Sequence, residues 1–462
     1  MPENQIVSPQ ANEMPTPPSN SPLSFVGSPF ASSKAIMNTL KSRLLENTSL
    51  KKEFLAGATT FLTMVYIAFV NPSILQHTGM DQGAVFTATC LVTAFACALT
   101  GLLANTPIGV APGMALNIYF SYSVVQGLGV DWQHALAMVF ISGVMFLFIS
   151  LTRLRRLLIE AIPHNLQIAI LIGISLLIAL IALESNQLII SNKYTLMHLG
   201  DISRPQSGLF FAGFLLILVL DYYRIPAAII IGILCISILS LLLGLTRWQG
   251  LVALPPSIAP TFLKLDFSGL TNVTALKAIF TFFLIAVFDA TGTLIGLLNP
   301  SIFKHQPDYQ HRLSKSLTAD ATASIAAGLL GSASTSPFIE SAAGIEAGGR
   351  TGLTALVIAA GFILMLFFFP LAKTIPNYAV GPALLYVACC MMKHLGELKL
   401  TDFSEIAPCM ITIMMIPFTA SIADGIGGGI ILYTLLKLLT RQAVNHLLII
   451  LSVVFVIFFM IS

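Results

Sequence analysis

Apolar segments of about twenty residues recur along most of this chain, separated by short polar connections. A helix needs roughly 20 mostly apolar residues to span a bilayer. Fourteen segments reach or approach this length, at 55–75, 83–105, 107–126, 133–151, 165–183, 207–221, 225–244, 274–298, 316–333, 335–348, 351–372, 379–394, 404–422 and 424–440, and a further apolar segment follows at 444–461. The pattern predicts an all-α polytopic membrane protein with about fourteen transmembrane helices.

Two of these segments, 107–126 and 335–348, are short and interrupted by Gly and Pro. Irregular backbone is tolerated at membrane depth where it lines a cavity or is buried in protein. We therefore predict two short broken helices that line a binding cavity.

The two halves of the chain show a weak internal repeat. AIPHNLQIAILIG (161–173) opens the fifth segment and TIPNYAVGPALLYV (374–387) opens the twelfth. Likewise, APGMALN (111–117) in the third segment matches SPFIESA (336–342) in the tenth. Matching segments are seven apart, and because seven is odd, the second half would have the opposite orientation. The spacing predicts a 7+7 inverted repeat, in which paired interrupted segments mark a transporter's substrate site.

The composition agrees with a membrane location. Of the 462 residues, 56% are hydrophobic and 9% are charged, whereas soluble domains carry about 25% charged residues. The net charge is only +3 and no dense basic run is present, which argues against binding to nucleic acid. The six cysteines show no pair or cluster with metal-ligand spacing, so we expect no metal and no cofactor.

The amino-terminal residues 1–50 differ from the rest of the chain. Pro, Ser and Asn are frequent up to residue 34 and basic residues follow, which predicts a disordered, basic cytoplasmic tail. Lys and Arg collect in cytoplasmic loops, and they follow the even-numbered segments, at Arg153, Arg155, Arg156, Arg224, Arg312, Lys315, Arg350, Lys393, Lys399, Lys437 and Arg441. We expect a multi-pass protein of the inner (cytoplasmic) membrane, surrounded by lipid, with its amino terminus in the cytoplasm. The topology of 444–461 stays open.

One acidic residue, Asp289, lies near the middle of the segment 274–298. An ionisable group at this depth costs about 2.5–3.5 kcal/mol, so it indicates a wet, paired or functional site. We predict that Asp289 and the hydroxyl of Thr291 contact a polar substrate, and that Asp289 is a candidate for the coupling proton. The alternative is an Asp that packs between helices and is satisfied by a nearby Ser, Thr or backbone group.

A second acid, Glu340, lies in the broken segment 335–348, after Ser336 and Pro337. These two residues look like the N-cap and first turn of a short helix, which would place the carboxylate near the positive end of that helix. We predict that Glu340 accepts N–H groups of a flat heterocycle or carries the coupling proton. The alternative is a Glu that only caps its own helix.

Three further residues are candidates for substrate contact. Asn117 is the polar residue of the matching broken segment, and its amide offers both a donor and an acceptor; a bond between helices is an equal alternative. Phe288 and Phe338 are placed to stack on a planar ligand, although the 31 Phe residues of this chain are more often expected in the core or facing lipid.

Five stretches carry a resemblance to a known family. They are FLTMVYIAFVNPSIL (61–75), GLLANTPIGVAPGMALN (101–117), VFDATGTLIG (287–296), FIESAAGIEAGGRTGLTA (338–355) and SIADGIGGG (421–429). In this order the chain resembles the AzgA-like hypoxanthine/guanine/adenine permeases of the nucleobase:cation symporter (nucleobase–ascorbate transporter) superfamily, over roughly residues 50–440.

The resemblance implies a transporter, not an enzyme, which takes up purine nucleobases together with protons. It also implies base recognition and proton coupling by an acid in the eighth span and a Glu in the tenth, which are Asp289 and Glu340 here, with Asn117 in the third. The family often forms homodimers. The implied domains are a core at 51–152 and 274–373, a gate at 153–245 and 374–440, and an additional segment at 444–461.

Two other functions stay open at this point. A carrier of the same fold could transport anions such as sulfate or bicarbonate, and flux of those ions without base flux would identify it. A non-transporting sensor could bind a base and signal through the amino-terminal tail, and tight binding without flux would identify that.

Overall fold

The computed structural model describes residues 48–152, 162–192, 196–298, 308–398 and 402–461. Nearly all of the predicted tail at 1–50 lies outside these ranges, as do the predicted cytoplasmic residues Arg153, Arg155, Arg156 and Lys399. Within the described ranges, each predicted apolar segment contains helix.

Helices dominate the described chain. The first half contains α1 (Leu50–Met64), α2 (Ile67–Leu75), α3 (Gln82–Leu99), β1 (Val110–Pro112), α4 (Met114–Ile118), α5 (Trp132–Leu151), α6 (His164–Ser185), β2 (Ile189–Asn192), β3 (Leu196–Leu199), α7 (Pro205–Tyr222) and α8 (Ala228–Leu242). The second half contains α9 (Val273–Leu298), α10 (Tyr309–Leu330), β4 (Thr335–Pro337), α11 (Ser341–Glu346), α12 (Gly352–Met365), α13 (Phe369–Thr374), α14 (Asn377–Met391), α15 (Phe403–Thr419), α16 (Ile422–Leu439) and α17 (His446–Ile461). Continuations in π or 3-10 geometry extend α2, α3, α4, α12 and α14, over Gln76–Thr78, Thr100–Ala104, Tyr119–Gly127, Leu366–Phe368 and Met392–Glu397.

Many of these helices are of membrane-spanning length. Within the described ranges, nine helical stretches are long and apolar enough to cross a bilayer, namely Leu50–Thr78, Gln82–Ala104, Trp132–Leu151, His164–Ser185, Pro205–Tyr222, Val273–Leu298, Gly352–Thr374, Asn377–Glu397 and Ile422–Leu439. Shorter apolar helices occupy Ala228–Leu242, Phe403–Thr419 and His446–Met460. The protein is thus mostly helical and polytopic, as the hydropathy pattern predicts.

The prediction of an all-α chain is wrong in two places, where short antiparallel strands pair. β1 pairs with β4, and β2 pairs with β3 in a hairpin between α6 and α7. β1 and β4 each end in Pro, and Ala111 and Ser336 precede those prolines. Because a residue before Pro is disfavoured in the α region, both broken segments begin extended rather than helical.

The predicted start of the tenth segment's helix is also wrong. Ser336 and Pro337 were expected to cap and open it, but both lie in β4, where Ser336 stands opposite Ala111 and Pro337 opposite Val110. The helix α11 begins later, at Ser341, with Glu340 as its N-cap residue. The pairing of Ser336 across to β1 is a long-range contact that the local sequence does not reveal.

Most of the described helices pack in two sets. In the first set, α10 packs on α5 and α3, α12 packs on α3 and α1, α9 packs on α5, and α11 packs on α1. In the second set, α15 packs on α16 and α6, α14 packs on α6 and α7, and α7 packs on α8. Contacts of α9 with α16 and of α2 with α14 connect the sets.

The turn that precedes α12 is fixed by Glu53 of α1, which is fully buried. Its Oε1 accepts the backbone N–H of Arg350 at 3.0 Å, and its Oε2 accepts the Thr354 hydroxyl at 2.5 Å. Because a carboxylate stabilises the N-terminal end of a helix, this contact holds α11 and α12 against α1.

Candidate functional site

The β1–β4 pair lies at the centre of the candidate site. Backbone bonds continue beyond the paired residues: Gly113 N–H donates to the Ser334 carbonyl at 3.0 Å, and Phe338 N–H donates to the Gly109 carbonyl at 2.9 Å. β1 packs on α3, while β4 packs on α9 and α10. The polar residues that follow each strand are therefore held in fixed positions among the helices.

Glu340 is held by Tyr66, which lies between α1 and α2. The Tyr66 hydroxyl donates to Glu340 Oε1 at 2.6 Å, and Tyr66 itself is only 1% exposed. The Glu340 side chain makes no capping bond to α11, so the interpretation that it only caps its own helix is wrong. A buried phenol thus orients the carboxylate of a residue that is itself half-buried.

Asp289 lies on α9, which packs on β4. The residue is half-buried and the Ser336 side chain lies beside it, which fits the alternative of an Asp satisfied by a nearby Ser. A Cβ added at Gly113 would lie 3.6 Å from Asp289 Oδ2. Asp289 and Glu340 lie within electrostatic range of each other. Among the described residues, no group of three or more His, Cys, Asp or Glu could hold a metal ion.

Asn117 and Thr291 carry buried polar atoms without partners. Asn117 lies on α4 and is fully buried, and neither its Oδ1 nor its Nδ2 has a hydrogen-bond partner among the described residues. The hydroxyl of Thr291, on α9, is likewise buried and unpartnered within the described chain. A buried donor or acceptor without a hydrogen-bond partner destabilises a protein by about 1–3 kcal/mol. The alternative of a hydrogen bond between helices is thus not observed for Asn117. The side chains of both residues are available for hydrogen bonds to a ligand.

The two candidate aromatic residues have different surroundings. Phe338 is buried beside Tyr66, with 6.4 Å between the ring centroids, and it precedes Glu340 by two residues. Phe288 is also buried, and both rings belong to the apolar core. The structure therefore agrees with the core alternative for both residues, and Phe338 additionally lies beside the tyrosine that binds Glu340.

Three residues near Glu340 were not identified from the sequence. Tyr66 binds Glu340 directly, and Tyr386 and Cys390 of α14 are electrostatic neighbours of Tyr66. Cys390 is also within electrostatic range of Glu340. One signal was available, since Tyr66 is a polar-tipped side chain in an otherwise apolar stretch. The position of α14 opposite Glu340 depends on packing between the two sets of helices, which no local pattern encodes.

Comparison with known proteins identifies relatives over most of the chain. The family Xan_ur_permease, described as a permease family, matches residues 51–428. Adenine permease AdeP of Escherichia coli (strain K12) is 38% identical over 395 residues, which cover 86% of this chain and 89% of that protein. Guanine/hypoxanthine permease PbuG of Bacillus subtilis (strain 168) is 36% identical over 426 residues, which cover 89% of this chain and 97% of that protein.

A solved structure shares the fold. It is described as the transmembrane domain of the cyanobacterium bicarbonate transporter BicA, with a TM-score of 0.62 and 15% identity, covering 81% of this chain and 97% of that one. At such identity the likeness concerns the fold alone. The family match extends over most of the chain and includes every candidate residue named above. The sequence-based identification of a transport protein rather than an enzyme is confirmed, and the chain belongs to the permease family Xan_ur_permease.

Proposed function

We propose that this protein is a secondary active transporter that takes up purine nucleobases across the cytoplasmic membrane together with protons. The observation that carries the proposal is the carboxylate of the half-buried Glu340, oriented by Tyr66 and near Asp289. The relatives named for adenine and for guanine and hypoxanthine support the choice of a purine.

The chemistry of the site suits a planar base whose edge carries both donors and acceptors. The carboxylate of Glu340 accepts N–H groups, while the amide of Asn117 offers both a donor and an acceptor. The unpartnered Asn117 amide and Thr291 hydroxyl would gain hydrogen bonds when a base is present. Phe338, beside Tyr66, offers an aromatic face against which a flat ring can stack.

Proton coupling follows from the two neighbouring acids. Two carboxylates in a poorly solvated site repel each other, so binding a proton at Glu340 or Asp289 relieves the repulsion. In the proposed cycle, a proton and a base enter together, and both leave on the cytoplasmic side. No metal or organic cofactor takes part in this scheme.

The proposed architecture has fourteen spans in a 7+7 inverted repeat, with the amino terminus in the cytoplasm. The antiparallel pairing of the two matched broken segments supports the repeat. The two sets of packed helices support a division into core (51–152 and 274–373) and gate (153–245 and 374–440), with 444–461 added after the gate. Movement of the core against the gate would expose the site alternately to either side. A homodimer formed through the gate is part of the proposal.

Uptake of radiolabelled adenine, guanine, hypoxanthine and uracil tests the function, in cells that lack their own base permeases. Purine uptake that disappears with a protonophore and in Glu340→Gln is the expected result. Glu346→Gln is the matched control, because Glu346 lies on the same short helix but is exposed, and this variant should transport normally.

Other outcomes of the same assay identify the alternatives. Normally expressed protein that moves bicarbonate or sulfate in proteoliposomes, but no base, would be an anion carrier on a shared fold. Tight base binding without flux would indicate a sensor. Purine flux that is unchanged by the protonophore and in Glu340→Gln would contradict the proposed proton coupling. It would still support purines as the substrate.

A further inference from the structure

Asp320 is a buried carboxyl that the proposed substrate site does not use. It lies on α10, is fully buried, and faces β4. Its Oδ1 accepts the Thr335 hydroxyl at 2.8 Å. Its Oδ2 is buried without a hydrogen-bond partner among the described residues. An ionised carboxylate in this position would have one oxygen that is neither solvated nor bonded.

A chain of hydroxyl groups leads to this carboxyl. Ser334 Oγ donates to Ser324 Oγ at 2.8 Å, Ser324 Oγ lies 3.0 Å from Thr335 Oγ1, and Thr335 bonds Asp320. All three hydroxyl residues are buried. Because a hydroxyl is both donor and acceptor, Thr335 can donate to an ionised Asp320, or donate to Ser324 Oγ or to the Asp320 backbone carbonyl and accept the proton of the neutral acid. The site is therefore built to tolerate both states of one carboxyl.

The charges around Asp320 favour a bound proton. Asp289 on α9 is the titratable group within electrostatic range of it, and in its ionised form it repels a negative charge on Asp320. The other titratable groups on the helices that pack against α10 are Lys277 of α9, paired with Asp424, His134 of α5, paired with Asp266, and the thiols of Cys90 and Cys97 on α3. On α10 itself they are Tyr309, His311, Arg312 and Lys315, which all lie in its first two turns.

Within the described chain no cation forms a salt bridge to Asp320. A buried charge without a partner is strongly disfavoured, so such a group takes up a proton instead. These surroundings favour the protonated form of Asp320.

We propose that Asp320 is a second proton-binding site of the transport cycle, separate from the Glu340–Asp289 pair; this inference rests on the proposed proton-coupled function. The link between the two sites is β4. The Thr335 hydroxyl bonds Asp320, and the side chain of the next residue, Ser336, lies beside Asp289. Successive side chains of a strand point to opposite faces, so β4 contacts both acids. A displacement of β4 when a base binds changes both contacts together, and so couples proton release at Asp320 to the substrate.

The coupling ratio of purified protein in proteoliposomes tests this site. Charge movement and radiolabelled purine flux are measured together for the wild type and for Asp320→Asn, whose side chain still accepts the Thr335 hydroxyl but does not ionise. The expected result is one proton fewer per base in the variant. An unchanged ratio would overturn the proposal and assign Asp320 a structural role only. Absence of purine flux or of any proton movement in the wild type would instead refute the proposed function.

A second variant keeps the test decisive if Asp320→Asn does not fold. Thr335→Val removes the hydroxyl that stabilises the ionised carboxylate, so the proton is released less readily. The pH at which purine uptake is half-maximal should rise by about one unit. Loss of a hydrogen bond to the charged form of an acid shifts its proton binding by about this amount. Thr322→Val is the matched control, because that hydroxyl bonds only the Thr318 carbonyl of its own helix. A half-point that stays the same in Thr335→Val would contradict the proposal.

Discussion

Tyr66 and Glu340 meet through a 2.6 Å hydrogen bond between the phenol and the carboxylate. Tyr66 lies at the break between α1 and α2, and Glu340 lies at the turn between β4 and α11. The contact thus joins two interruptions of regular structure. Helix breaks inside a membrane protein are tolerated where they line a binding cavity, and this pair marks the place where the two breaks meet.

Removing the phenol should alter transport without unfolding the protein. In Tyr66→Phe, the carboxylate of Glu340 loses a charge-assisted bond worth about 1.5–3 kcal/mol. We expect the KM for purine uptake to rise roughly tenfold. The pH at which uptake is half-maximal should also rise, because the phenol hydrogen bond favours the ionised carboxylate and its loss lets Glu340 bind a proton at higher pH. Uptake kinetics over a range of pH provide the measurement. Tyr122→Phe, which loses only a bond to Ser185, is the control, and an unchanged KM in Tyr66→Phe would contradict an orienting role.

The unpartnered amide of Asn117 predicts opposite effects on binding and on stability. Asn117→Leu keeps the size of the side chain and removes two buried polar atoms that have no partner in the described structure. Replacing such atoms by an apolar group is neutral or stabilising, so the thermal unfolding temperature without substrate should stay the same or rise. The stabilisation that a saturating purine gives should fall, as it would lose a bond of about 1 kcal/mol. Normal purine stabilisation in the variant would exclude Asn117 from the site.

An ion pair joins the two sets of helices at one end of the protein. Lys277 Nζ of α9 lies 2.6 Å from Asp424 Oδ1 of α16, and 5.0 Å from the ring centroid of Phe459 on α17. In the proposed orientation this end faces outside. Nearby, the Ser123 hydroxyl donates to the Ala420 carbonyl at 2.7 Å, so both contacts close the same interface.

Breaking this pair should open the interface more often. In Lys277→Met, the closed interface loses the ion pair's stabilisation of about 1 kcal/mol. The ratio of open to closed protein should therefore rise roughly fivefold. A Cys introduced by Ser123→Cys should then react faster with a membrane-impermeant thiol reagent, once the exposed Cys235 and Cys389 are replaced by Ala. The exchange of both charges, Lys277→Asp with Asp424→Lys, should restore the slow rate. Equal rates in all three proteins would show that the pair does not hold the interface closed.

Gly344 permits the close approach of α11 to α1. A Cβ added there would lie 2.0 Å from Thr60 Oγ1 and 2.7 Å from the Ala56 carbonyl. Gly344→Ala should therefore push α11 away and destabilise the fold by about 1–3 kcal/mol, and it should displace Glu340 from Tyr66. The thermal unfolding temperature and the rate of purine uptake should both fall. Gly296→Ala has no atom within 4 Å of the new methyl and should leave both unchanged, whereas a stable, active Gly344→Ala would contradict the packing.

The helices and the depth of the acids were predictable from local sequence. Hydropathy places a helix at each predicted apolar segment because burial in lipid requires long apolar runs with internally bonded backbone. Asp289 and Glu340 stood out because charge is costly there. The strands were missed because segments of three or four residues are too short to show a period of two, and only the prolines after Ala111 and Ser336 indicated extended backbone.

The amino-acid sequence by itself thus determined the class of protein, the positions of its helices and the identity of its rare membrane acids, since these depend on the properties of neighbouring residues. The tertiary structure alone decided the partners of those acids. Tyr66 and Glu340 are 274 residues apart, and Thr335 meets Asp320 only because β4 lies against α10. Such contacts arise from the packing of many helices at once, so no single segment of the chain contains the information that specifies them.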